Sequence, residues 1–178
     1  MLFFVYFLFT GLWQPSSIKQ DNSFIDWSSG KKLSWNDFRA APDKNVTVAA
    51  LTSTNIKIDF GYDNENNIEY HIRCRFDKNK SWGRVRNDYI LSHEQAHFDI
   101  AEIYARKLNK VLKTYKPNEN NISKDVNNIY EKMMKEYYDE QEVYDRETNF
   151  SINHTKQEEW LKKINEDLKD LKDYANYN

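Results

Sequence analysis

The stretch that decides the fold of this 178-residue chain is residues 91–102, which read LSHEQAHFDIAE. It lies in a segment of helical pattern that starts near residues 87–88 and ends before Pro117. Two of its histidines, His93 and His97, are four residues apart, so in a helix they lie about 40° apart around the axis. The sequence therefore predicts a long helix that presents two imidazoles on one face.

Two imidazoles on one helix face can bind the same metal ion. Zinc accepts neutral imidazole nitrogens and keeps a position open for water in catalytic sites. Glu94, directly after the first histidine, can accept a proton from that water as it attacks a carbonyl carbon. This is the H-E-x-x-H pattern of zincin peptidases. The motif predicts Zn²⁺ bound by His93 and His97, with Glu94 as general base; the alternative is a partly buried helix whose histidines are only hydrogen-bonded.

A catalytic zinc site needs a third protein ligand, which a later segment must supply. Glu102 lies nine residues after His93, on roughly the opposite side of the helix, and is interpreted as an acid behind the site or at the surface. Asp145 neighbours the apolar face of a later helix and is the favoured ligand. Glu147 and His154 remain open as alternatives.

The segment before the motif has the pattern of an antiparallel hairpin. Apolar and polar residues alternate strictly over residues 68–76, as in a strand with one buried face. Residues 56–62 alternate in the same way, and the polar cluster at 63–67 predicts a turn between them. Cys74 falls on the apolar face, which predicts a buried, inert thiol. Residues 77–83 are expected to form a loop.

Two further helices follow the motif. Apolar spacing predicts them over residues 122–147, with Ser123 as the N-cap, and over about 155–174. Strands first and helices after indicate an α+β fold. We expect an N-terminal antiparallel hairpin or small sheet packed on long helices, a zincin-like arrangement in one domain spanning residues 24–176.

The first residues differ from the rest of the chain. Residues 2–13 form an apolar run that is short for a membrane span and suits the core of a signal peptide. A retained anchor, or a buried N-terminal strand or helix, is the alternative. We expect residues 1–20 to be a signal peptide or N-terminal membrane anchor, which places the protein outside the cytoplasm, secreted or in the periplasm or cell envelope.

The charge and cysteine content of the chain limit the classes of partner and of metal site that it can have. The chain has 26 Lys and Arg against 28 Asp and Glu, a net charge of −2, so no basic excess indicates nucleic-acid binding. Its single cysteine excludes an intrachain disulfide and a multi-cysteine zinc site. Membrane association is expected only through the N-terminal apolar segment, and the expected partner is a peptide or protein substrate.

The motif with its flanks, residues 91–106, resembles a bacterial family, the domain-of-unknown-function 922 family. Three other stretches agree with it: residues 33–38 (LSWNDF), residues 76–77 with 81–82 (FD and SW), and residues 144–148 (YDRET). The similarity runs from about residue 25 to residue 160. The family is described as predicted secreted zinc-dependent proteases, so the resemblance implies a zinc peptidase.

One position departs from the family pattern. The family usually shows a histidine two residues after Thr148, where this chain has Phe150. If that histidine is the third ligand, this chain has lost it, and either His154 substitutes or the site is degenerate. If the ligand is Asp145, nothing is lost. The alternatives to an active peptidase are an inactive metal-binding or protein-binding envelope module that keeps the zincin-like fold, and a structural envelope protein without metal.

Overall fold

The computed structural model describes residues 22–63, 65, 67–117 and 121–177. Its strands and long helices confirm the α+β class, with a small antiparallel sheet followed by three helices. The strands and helices are β1 (Phe24–Asp26), β2 (Ala50–Leu51), β3 (Thr54–Tyr62), β4 (Ile68–Asp77), β5 (Trp82–Gly83), α1 (Asp88–Thr114), α2 (Ile122–Thr148) and α3 (His154–Asp170). Short 3-10 helices cover Trp35–Asp37 and Lys172–Tyr174.

The predicted hairpin forms the larger sheet. β4 is its central strand, paired antiparallel with β1 on one side and with β3 on the other. The alternation sets the register, in which Ile58 faces Ile72 across the strands. Cys74 is buried and unpaired, as the pattern predicts. One face of the hairpin therefore packs into the core, against α1.

A second, two-stranded ladder was not predicted. Trp82–Gly83, expected to be part of a loop, forms β5 and pairs with β2, so that Ala50 lies opposite Gly83. Two residues are too few for an alternation pattern to show. Gly83 also lies under Trp35, because a β-carbon at Gly83 would come 2.5 Å from the Trp35 ring atom Cζ3.

Replacing Gly83 with alanine is expected to destabilise the fold by about 1–3 kcal/mol, the usual range for overpacking a filled site. The added methyl group overlaps the rigid Trp35 indole, which must shift. Gly61→Ala is the matched control, since no atom lies within 4 Å of a β-carbon there. Urea unfolding of both variants measures the difference, and equal midpoints would contradict the packing described for Gly83.

The helices agree with the predicted ones except at two ends. α1 begins after Asn87, whose side chain accepts a hydrogen bond of 2.8 Å from the Ile90 backbone N–H. The Ser123 cap was wrong: Asn121 has the non-helical backbone of an N-cap, and Ser123 lies inside the first turn of α2. The third helix ends at Asp170 rather than near residue 174, where a 3-10 turn replaces it.

Buried charges on α1 hold both ends of the described chain. Asp99 accepts a hydrogen bond of 2.7 Å from the Trp27 indole near the N-terminal end. Glu102 accepts one of 2.8 Å from Arg106 Nε and another from the Tyr177 hydroxyl near the C-terminal end. Glu102 is only 1% exposed, so it is not a surface acid. These contacts fix α1 as the element around which the other segments pack.

The N-terminal apolar run lies outside the described residues. The signal-peptide or anchor prediction for residues 1–20, and the location outside the cytoplasm that depends on it, therefore stay predictions. Among the helices that the structure describes, none combines the length and the apolar character that a membrane crossing needs.

Candidate metal centre

Three side-chain atoms from two helices converge next to α1. His93 Nε2 and His97 Nε2, from consecutive turns of α1, lie 3.2 Å apart. Asp145 Oδ1, from α2, lies 3.2 Å from the first and 3.1 Å from the second. Within the described part of the chain, this is the group of His, Cys, Asp and Glu side chains whose ligand atoms lie close enough to share one metal ion.

The spacing of the three atoms fits a zinc ion. Ligands about 2.0–2.1 Å from a tetrahedral zinc are separated from one another by roughly 3.3 Å. Without a cation, every protonation state brings two like groups together, either two N–H donors or a nitrogen lone pair and a carboxylate oxygen. A shared cation removes that conflict, because each of the three atoms then directs a lone pair at it.

The charge of Asp145 dominates the electrostatics of this group. Burial raises the pKa of the Asp145 carboxyl, but hydrogen bonds with His93 and His97 outweigh burial and hold that pKa well below its usual range. Burial lowers the pKa of His97, yet the hydrogen bond and charge of Asp145 raise it to about 9. For His93, burial prevails and its pKa is lowered. Asp145 is therefore an anion, the form in which a carboxylate binds metal.

Gln141 of α2 fixes the tautomer of His97. Its amide nitrogen donates a hydrogen bond of 2.9 Å to the His97 carbonyl oxygen. Its amide oxygen therefore faces His97 Nδ1 and accepts the hydrogen of that nitrogen. When His97 is neutral, this contact keeps its hydrogen on Nδ1 and its lone pair on Nε2, the atom that points at Asp145.

Gln157 of α3 has the corresponding position beside His93. It is fully buried, and its amide nitrogen donates to the Tyr89 carbonyl oxygen at 3.2 Å and to Ser92 Oγ at 3.0 Å. Gln157 Oε1 and His93 Nδ1 are both buried without a partner at hydrogen-bond geometry. The Gln157 side chain nevertheless acts on His93, where it opposes the lowering of the pKa by burial. Gln157 therefore influences the charge of His93, while the tautomer of His93 is not fixed by a hydrogen bond as that of His97 is.

Tyr144 forms the floor of the site. Its ring stacks on His93 with centroids 4.5 Å apart, and it meets His97 edge-on at 4.9 Å. The side chain is fully buried, and its hydroxyl lies 3.4 Å from the His93 carbonyl oxygen. Tyr144 therefore holds both imidazoles in place by packing.

Replacing Gln141 with alanine is expected to weaken zinc binding by about 10–100-fold, the usual effect of losing an outer partner of a ligand histidine. The loss frees the His97 ring to rotate and to change tautomer. Competition with a chromophoric chelator measures the affinity. Glu142→Ala, at the next and exposed position of α2, is the control. An affinity in the Gln141 variant equal to that of the control would contradict the orienting role.

Glu94 lines the same cavity, of about 480 Å³, as the three converging side chains. It is 3% exposed, and its Oε2 atom has no hydrogen-bond partner. Burial raises the pKa of Glu94, while the positive charge of His97 and a hydrogen bond from Thr52 oppose that rise. A carboxylate oxygen left unpaired beside the donor atoms has the chemistry of a general base.

The other acids and the histidine considered as third ligands lie elsewhere. Glu147 accepts a hydrogen bond of 2.8 Å from the Trp160 indole. His154 stacks on Tyr89, with ring centroids 4.0 Å apart, and lines a different cavity. Glu102 is held in the buried pair described above. None of the three belongs to the converging group, in which Asp145 is the third member.

Comparison with known proteins gives one match. The sequence model of a family described as bacterial protein of unknown function (DUF922) matches residues 25–154, which include both histidines, Glu94 and Asp145. No curated protein matches the chain, and no solved structure does.

Proposed function

Because this chain belongs to the DUF922 family of bacterial proteins of unknown function, we propose its function from the site itself: a zinc-dependent peptidase of zincin-like type that hydrolyses peptide bonds. The observation that carries the proposal is the convergence of His93, His97 and Asp145 on one point, in a cavity that is also lined by Glu94 with its unpartnered Oε2 atom. The apolar run at residues 2–13 supports action outside the cytoplasm.

In this proposal His93, His97 and Asp145 hold the zinc ion. When bound, zinc supplies Lewis acidity that polarises the substrate carbonyl and makes water a nucleophile near neutral pH. Glu94 Oε2 accepts a proton from the attacking water and passes it to the nitrogen of the leaving amine. Burial raises the pKa of Glu94, which makes its carboxylate a stronger base. Gln141 and Tyr144 keep the imidazoles oriented throughout.

The second candidate function is an inactive module that binds metal or protein with the same fold. It is favoured by Phe150, at the position where the family resemblance implies a histidine. The side chain of Phe150 is 49% exposed and lines the cavity of the metal centre. This candidate predicts stoichiometric zinc and no hydrolysis.

Digestion of reduced casein by the zinc-loaded full chain separates the two candidates. The peptidase proposal predicts new amino termini, detected with an amine-reactive dye, that stop appearing when dipicolinate removes the metal and return when zinc is added. Zinc uptake without new termini would favour the inactive module. Failure to take up zinc would contradict the peptidase and the metal-binding form of the module.

A further inference from the structure

The turn after α2 has a strained backbone. Asn149, Phe150 and Ser151 have φ values of 49°, 51° and 72°, in the left-handed region. Asn149 ends α2 there at little cost, but a bulky residue such as Phe is seldom found in this region. The turn is held by hydrogen bonds, among them one of 2.9 Å from the Phe150 N–H to the Asp145 carbonyl oxygen. Strain kept next to a reactive site is commonly tied to function.

The strained turn presents apolar side chains to solvent beside the metal centre. Phe150 is 49% exposed, and Ile152 is 69% exposed. Phe150 lines both the cavity of the metal centre and a second cavity of about 900 Å³. The second cavity also contains Val48, Val85 and Ile90, and the two cavities share Val48 as well as Phe150. The two cavities therefore adjoin, with Phe150 and Val48 at the boundary between the metal centre and the apolar recess.

The charged side chain at this recess is already engaged in hydrogen bonds. Arg84 lines the second cavity, but its guanidinium donates hydrogen bonds of 2.5, 2.7 and 3.3 Å to the carbonyl oxygens of Asp43, Val46 and Val48. These bonds hold the segment 43–48 as one wall of the recess. Arg84 keeps its positive charge, but its guanidinium is turned to these carbonyl oxygens. The apolar side chains Val48, Val85 and Ile90 remain to contact an uncharged, apolar group.

We propose that the second cavity is a subsite for an apolar side chain of an extended polypeptide bound across the metal centre, and that Phe150 determines this specificity. The inference rests on the proposed function, because it assigns the substrate class of the same site. The position of the recess next to the metal cavity favours as the occupant a chain molecule that reaches both. The exposure of Phe150 and Ile152, kept despite backbone strain, favours an apolar partner.

Peptide binding tests the subsite separately from hydrolysis. The probes are the blocked pentapeptides Ac-Ala-Ala-X-Ala-Ala-NH2, with Leu, Phe or Asp at X, titrated calorimetrically into zinc-loaded Glu94→Gln. The dissociation constants of the Leu and Phe peptides are expected to be lower than that of the Asp peptide by a factor of about ten or more, the usual effect of filling an apolar pocket. Adding Phe150→Ala should bring that ratio close to one. Tyr62→Ala removes an aromatic ring of similar exposure that lines neither cavity, and should leave the ratio unchanged.

Stability measurements test whether the Phe150 ring has a purely structural role. Glycine adopts the left-handed region freely, whereas alanine does not. The urea midpoint of Phe150→Gly should therefore equal or exceed that of Phe150→Ala, although both lose peptide selectivity. A merely structural ring would lower both midpoints and leave selectivity intact, which would overturn the proposal.

The outcomes separate the two proposals. If the Glu94→Gln protein binds the Leu and Phe peptides selectively but the wild type hydrolyses no peptide, the peptidase proposal is contradicted and the subsite proposal is supported. If the wild type hydrolyses peptides but binding shows no preference for Leu or Phe over Asp, the subsite proposal is contradicted and the peptidase proposal is supported. Absence of peptide binding, or the same selectivity in the Phe150→Ala and Tyr62→Ala variants, would refute the subsite.

Discussion

Replacing His97 with alanine is expected to abolish stoichiometric zinc binding. The three donor atoms lie 3.1–3.2 Å from one another, and none of the other acids considered lies where it could replace a missing imidazole. The zinc-dependent part of the stability is lost with the metal. Zinc at about 1,000 times its dissociation constant stabilises a folded protein by about 4 kcal/mol. Metal analysis after gel filtration and urea unfolding with and without zinc measure both effects.

The stability of the metal-free proteins gives a second readout. Without zinc, His97→Ala also loses the ion pair with Asp145 that raises the pKa of His97 to about 9. The metal-free variant should therefore have a lower urea midpoint than the metal-free wild type, and added zinc should leave that midpoint unchanged. His71→Ala is the control, since His71 is exposed on β4, away from the site. A His97→Ala protein that retains one zinc per chain would show that the ligand assignment is wrong.

Replacing Glu94 with glutamine is expected to lower hydrolysis by about 100- to 10,000-fold, the contribution typical of a positioned general base. Glu94 lies outside the converging group, so zinc content should stay at the wild-type value. The amide is nearly isosteric but cannot accept the proton from water. Casein digestion and zinc analysis on the same preparation measure both properties.

Glu142→Gln controls for the loss of one negative charge, because Glu142 is exposed on α2. It should keep both zinc and activity. Full hydrolysis by Glu94→Gln would remove Glu94 from the mechanism, while loss of zinc in that variant would place Glu94 among the ligands.

The sequence predicts those parts of the site that depend on local geometry. The four-residue spacing of His93 and His97 orients both imidazoles in any α-helix, so one helix suffices to place them. Asp145 depends in addition on the packing of α2 against α1. Its position next to the apolar face of α2 indicated that its side chain points toward the protein interior. Its distance from the two histidines, however, depends on how the helices pack and cannot be read from the sequence.

Features that depend on packing between distant segments were missed. Gln141 hydrogen-bonds His97, and Gln157 raises the pKa of His93 against the effect of burial. A glutamine in a helix usually faces solvent, so neither gives a signal in the sequence. Glu102 can be buried because Arg106 pairs with its charge from one turn away and Tyr177 donates a hydrogen bond to it from the C-terminal end. The ladder between β2 and β5 has two residues in each strand, too few for periodicity.

The zinc K-edge X-ray absorption spectrum of the zinc-loaded full chain tests most directly whether His93, His97 and Asp145 bind one ion. The predicted spectrum shows nitrogen and oxygen ligands at about 2.0–2.1 Å, with the outer-shell scattering of two imidazoles and no sulfur. A sulfur shell at about 2.3 Å, or an oxygen-only shell without imidazole scattering, would contradict the metal centre and with it the proposed peptidase.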